Sequence, residues 1–197
     1  MKKFLIPIAC ALTLFAPSFA SADDADKRTD DPEPKRTFEV QLERFNGHMF
    51  DSRKVNNYNL HVFQKVHDHR ALSAWRGLTF MRATGYIRTH GNDDLFESGA
   101  VGLGPAFMLR WKQQLTGKLY AAGDFTGSLL ACNHAHPANA RAYGFMWRVG
   151  PRLMWQYDDE DSVSLGYSVS HFSNGTRKSH NPGYNSLGFT LNFQHKF

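Results

Sequence analysis

A histidine, a serine and several asparagines near the C-terminus have the types and spacing that acyl transfer needs. His171-Phe172-Ser173-Asn174-Gly175 is followed, after a polar stretch, by Asn181-Pro182-Gly183-Tyr184-Asn185. Residues two apart on an extended strand project from one face, so His171 and Ser173 stand side by side. A histidine so placed can take the serine hydroxyl proton and return it to a leaving alcohol. Backbone N–H groups after Ser173, in a turn containing Asn174 and Gly175, can receive an oxyanion. Asn174 and Asn181 offer side-chain donors or hold that turn. Asn185 shares the odd parity of the pair, and a hairpin centred near Ser179 sets it opposite Ser173.

A bare His-x-Ser is more often an idle polar pair than a catalytic one, so its setting decides. From Thr37 onward the chain alternates with period two in about eight segments, and no helical period competes. Phe145, Trp147, Val149, Pro151, Leu153, Trp155 and Tyr157 share one face of a strand, with Met146, Arg148, Gly150, Arg152, Met154 and Gln156 on the other. Elsewhere Val163, Leu165, Tyr167 and Val169 oppose Ser164, Gly166, Ser168 and Ser170, and Leu187, Phe189, Leu191 and Phe193 oppose Gly188, Thr190 and Asn192. Many segments approach the roughly 9–11 residues that a tilted membrane strand needs. The apolar face is large and aromatic, while the other carries Glu39, Arg110, Asp124, Arg148, Arg152 and Lys196. A soluble sandwich or lipocalin-like barrel would bury the first set and spread the charges over solvent. A lipid-embedded barrel encloses the charges where they can pair.

The expected fold is therefore all-β, an eight-stranded antiparallel transmembrane β-barrel over 37–197. With both termini periplasmic, segments near 46–57, 90–97, 133–142 and 174–185 become extracellular loops. Those near 68–77, 112–117 and 158–162 become periplasmic turns. His171 and Ser173 then sit on the lipid-facing parity at the extracellular end. Glu39, Arg110, Asp124, Arg148 and Arg152 are expected to plug the narrow lumen, which argues against a pore.

The N-terminus reads as a signal peptide over 1–22: Lys2 and Lys3, an apolar run from Phe4 to Phe15, and the small residues Ala20-Ser21-Ala22. Cleavage after Ala22 is expected, with Ala20 the alternative. Residues 23–36, charged and proline-containing, form a flexible leader. Processing leaves Cys132 as the one cysteine, so no internal disulfide forms. The formal charge of +5 falls to +3 without Lys2 and Lys3. That mild excess does not indicate nucleic acid as a partner, and at an outer surface it favours anionic glycolipid phosphates. The mean hydropathy of −0.47 excludes a helical membrane protein but not a barrel.

The run His171-Phe172-Ser173-Asn174-Gly175 with Asn181-Pro182-Gly183 resembles the C-terminal motif of the lipid A 3-O-deacylase (PagL, acyloxyacyl hydrolase) family. The close match covers about fifteen residues; the strand pattern, signal peptide and terminal Phe197 agree over the rest. The resemblance implies an outer-membrane serine esterase acting on lipid A in lipopolysaccharide, with its site open to the outer leaflet. It implies His171 as base, Ser173 as nucleophile, and Asn174, Gly175 and Asn181 as supports of the oxyanion hole. It implies neither metal nor cofactor, and leaves open a homodimer in the membrane. The family's acidic third member, a glutamate fourteen residues after the histidine, falls here on Asn185. An asparagine oxygen can accept the imidazole N–H, but it cannot offset the imidazolium charge. Asp93, Asp94 and Glu97 are candidate replacement carboxylates. Glu160 and Asp161 lie about 35 Å away at roughly 3.3 Å per residue and are excluded. Two other readings stay open, a non-catalytic structural or adhesive barrel and an acyltransferase that would hold an acyl chain in the lumen.

His134 and His136 beside Cys132 have no second cluster to complete a metal site, and read as loop residues. His67-Asp68-His69 reads as a solvated turn. Arg141, Arg177 and Lys178 are placed to meet lipid A phosphates.

Overall fold

A computed structural model describes residues 36–47, 53–88, 94–175 and 183–197. The signal segment 1–22, the leader 23–36 up to Lys35, and Asp93, Arg177, Lys178 and Asn181 lie outside the described residues. Among the described residues the strands are β1 (Thr37–Asn46), β2 (Lys54–His69), β3 (Leu72–Arg88), β4 (Leu95–Glu97), β5 (Ala100–Thr116), β6 (Leu119–His136), β7 (Arg141–Gln156), β8 (Asp161–Ser173) and β9 (Tyr184–Lys196). All pair antiparallel in the order β2-β1-β9-β8-β7-β6-β5-β3-β4, and a β2–β3 pairing closes the ring. Eight strands form that ring. The ninth, β4, is a three-residue piece that continues the line of β5 along β3, pairing Glu97 with Tyr86 where β5 pairs Ala100 with Ala83.

Alternation decides which side faces inward, and the result is inverted relative to a soluble protein. On β1, Glu39 and Gln41 are each 1% exposed, while Val40 and Leu42 are 38% and 47% exposed. On β7, Arg148 and Arg152 are buried, and Phe145, Trp147, Val149, Leu153 and Trp155 are exposed. An apolar exterior over a charged interior is stable only where the surroundings are hydrocarbon.

The lumen charges are paired. The Arg110 guanidinium binds Glu39 at 2.5 Å and Asp124 at 2.7 Å, and Arg152 reaches Asp124 at 2.5 Å. Asn192 and Gln41 donate to Glu39 at 2.7 and 2.8 Å. A second knot joins Arg148 and His61 to Glu43 at 2.5 and 2.8 Å, and His61 runs on through Thr79 to Ser128 at 2.7 and 2.8 Å. The five residues expected to plug the lumen do so; Glu43 and His61 join them. Lys196, placed on the same face, is instead exposed at the strand end. Removing one member of a buried ion pair strands its partners without water, so Arg110→Met is expected to cost about 3 kcal/mol of stability. Arg152 partly covers for it. The drop is read as a lower temperature for loss of the compact, heat-modifiable band on a detergent gel.

Several boundaries differ from the sequence expectation, because strands run on into the expected loops and turns: β2 starts at Lys54, β5 reaches Thr116, and β6 reaches His136, so His134 and His136 lie on a strand rather than in a loop. The turn expected over 68–77 is only Arg70 and Ala71, with Arg70 at φ 54°, and β3 begins at Leu72. His67-Asp68-His69 therefore belongs to β2, beyond an irregularity between Lys65 and His67, and is not turn. The alternation of 72–77 is hard to read because inward Trp75 packs over Arg110, at 5.4 Å, while outward Arg76 is polar.

Candidate active site

The ends of β8 and β9 bring the motif together. Their register pairs His171 with Asn185 and Phe172 with Tyr184. The sequence reading set Asn185 opposite Ser173; the register is two residues different, and Asn185 faces His171 directly. Faces are unchanged by a two-residue shift, because side chains alternate with period two. The odd side chains point outward, as Leu165 and Tyr167 below them do, while Ser170 and Phe172 are buried inside.

His171 Nδ1 lies 2.7 Å from Asn185 Oδ1. An amide oxygen only accepts, so Nδ1 carries the proton and donates it, and Nε2 of a neutral ring is left with its lone pair. On its other side His171 pairs with Trp147 of β7, and the two rings stack at 5.5 Å between centroids with 28° between planes. Ser173 pairs with Phe145 one row above. Gly183, just before β9, closes over both: a Cβ built there would lie 3.2 Å from Ser173 Cβ and 3.5 Å from His171 Cε1. One point within reach of both side chains puts them at the edge of one small space. Arg53, just before β2, donates through its guanidinium to the Gly183 carbonyl and ties that approach to the neighbouring wall.

The inward residues support this rim. The Phe172 and Tyr184 rings stack at 5.6 Å, and the His136 ring packs edge-on to Phe172 at 4.7 Å. His136 bonds the Tyr184 hydroxyl at 2.8 Å and the Ser98 carbonyl at 2.9 Å, and Tyr184 donates to Asn57 at 2.9 Å. His136 is thus a buried brace, and exposed His134 bonds the Gly99 carbonyl instead. Among the described residues no group of His, Cys, Asp and Glu is arranged to hold a metal ion.

Asn174 is buried, and its carboxamide donates to the Tyr143 carbonyl and, at 3.4 Å, to that of His136. Of the two roles read for its side chain, the geometry gives the tie between strand ends. Asn174 is followed by Gly175 at φ 68°, a left-handed conformation that favours glycine. The replacement carboxylates Asp94 and Glu97 are misplaced. β4 lies along β3 in line with β5, three strands from β8 one way around the ring and five the other, so Glu97 stands on a distant wall. Asp161 sits at the far end of β8 and binds His195 at 2.7 Å.

Trp147, Gly183 and Arg53 belong to the site and were not singled out from the sequence. Reflecting His171 through the expected turn 158–162 lands on Val149. The observed register shifts this by two, to Trp147.

The profile of the lipid A 3-O-deacylase (PagL) family matches residues 56–194, which include His171, Ser173 and Asn185. No curated protein sequence matches the chain. Among solved structures, the chain is similar to that described as the outer membrane enzyme PagL, with 14% identity and a TM-score of 0.53, over 78% of this chain and 97% of that one. At that identity the likeness speaks for the shared barrel. With a profile match over more than half its length, this chain belongs to the lipid A 3-O-deacylase (PagL) family.

Proposed function

We propose that this protein is an outer-membrane serine esterase that removes an ester-linked acyl chain from lipid A. The observation that carries the reading is the bond from His171 Nδ1 to Asn185 Oδ1, which orients the ring beside Ser173 on the lipid-facing wall. Ser173 Oγ attacks the acyl carbonyl carbon while its proton passes to His171 Nε2. The tetrahedral oxyanion is received by backbone N–H groups of the turn after Ser173. As the intermediate collapses, the bond to the sugar oxygen breaks, and His171 returns the proton to that oxygen. Water then attacks the acyl-enzyme with His171 again as base; the bond from the acyl carbon to Ser173 Oγ breaks, His171 returns the proton to Oγ, and a fatty acid leaves.

An exterior site suits a substrate whose acyl chains lie in the outer leaflet beside the barrel. The lumen does not suit them, since ion-paired Arg110, Arg148 and Arg152 occupy it. This weighs against the acyltransferase reading with a lumen pocket. Lipid A from Gram-negative cells expressing the protein is expected to lose the mass of one acyl chain. Unchanged lipid A would favour the non-catalytic barrel, and added mass the acyltransferase.

Asn185→Glu tests the third position. A carboxylate there would hold the same Nδ1 proton and also offset the imidazolium charge. In a serine protease the reverse exchange, Asp to Asn, costs roughly 10⁴ in turnover. A rise in kcat of about tenfold or more is expected; a fall would mean that the amide already serves a geometry the longer acid disturbs.

A further inference from the structure

Outward side chains at the level of His171 form one continuous row across five strands. Register places Phe107, Gly127, Trp147, His171 and Asn185 side by side on β5 to β9. Gly127 supplies no side chain, and the Phe107 ring leans into its place, within 2.4 Å of where a Cβ would stand. The row is thus aromatic up to the imidazole, which lies between an indole face on one side and an amide oxygen on the other. Neither flanking group carries a formal charge.

That arrangement bears on the step that costs most here. When His171 takes the serine proton it becomes a cation, and Asn185 offers an oxygen but no negative charge. The face of an indole ring attracts a cation within about 6 Å of its centroid, more strongly where water is excluded. We propose that Trp147 is a positioning residue for the reaction, whose indole face holds and stabilises the imidazolium of His171 in place of the missing carboxylate. This rests on His171 acting as the base of an esterase. Indole supplies attraction only once the ring is charged, so its effect falls on turnover and leaves substrate affinity alone.

The test uses the full chain purified in detergent micelles with lipid A as substrate. kcat and KM are measured for the wild type, Trp147→Phe, Trp147→Leu, Asn185→Glu and the Trp147→Leu/Asn185→Glu double variant. Leucine suits a lipid-facing strand position, and heat-modifiability on a gel verifies that each barrel is closed. Trp147→Leu is expected to lower kcat about tenfold with KM within about twofold, and Trp147→Phe to keep most of the activity. With Glu at 185 the same loss of indole should cost under about threefold, because a carboxylate now balances the charge. An equal loss in both backgrounds, a change confined to KM, or no loss at all overturns the proposal. A wild type that releases no fatty acid would instead overturn the esterase reading, so the two failures are distinct.

Discussion

Ser173→Ala is expected to leave lipid A with all its acyl chains and to cut fatty-acid release by at least about 10² in vitro. The size of the drop is informative. In a serine hydrolase with a full triad, losing the nucleophile costs about 2 × 10⁶ in kcat, and losing the carboxylate alone about 3 × 10⁴. If Asn185 gave His171 no more help than an empty position, only about 10² would remain for Ser173 to contribute. A larger loss would measure how much support the amide and its surroundings restore. Full activity in Ser173→Ala, with activity abolished in His171→Asn, would show water attacking directly and would sink the acyl-enzyme step.

Gly183→Ala is expected to lower kcat about 10²-fold without weakening the barrel. The added methyl would meet the Phe172 carbonyl oxygen at 2.8 Å, which is backbone and cannot swing aside, and would press on Ser173 Cβ and His171 Cε1. The approach to β9 must move, and with it the spacing of base and nucleophile. Displacement of reacting groups by about 1 Å can cost that factor in rate. Stability should hold, because Gly183 precedes the paired residues of β9. Wild-type turnover in the Ala variant would show that the space between the two side chains is not where the ester sits.

The inverted barrel was legible because period two forces the issue. A slip of one residue would send Val40 and Leu42 inward and Glu39 and Gln41 into lipid, so the pattern fixes each strand's faces. A slip of two residues leaves every face intact and cannot be read from alternation. Both hairpins at the site differed from expectation by that amount. Hence alternation sets Asn185 opposite Ser173 rather than His171, and the turn expected over 158–162 would put Val149, not Trp147, beside His171. Asn174 leaves its two roles open for a different reason. It is a polar residue in a polar turn, and only the Tyr143 carbonyl that happens to stand beneath it turns its side chain inward. Glu43 and His61 were visible as polar residues of their strands, but which lumen groups pair depends on the ring's register.

β9 is the partner of β8 on one side and of β1 on the other. It brings Asn185 to the imidazole, and the backbone N–H of Phe197, just past its end, donates to the Arg36 carbonyl at 2.8 Å. On the proposed esterase reading, hydrolysis is thereby coupled to barrel closure: until β9 docks against β8 and β1, His171 lacks the amide oxygen that orients it.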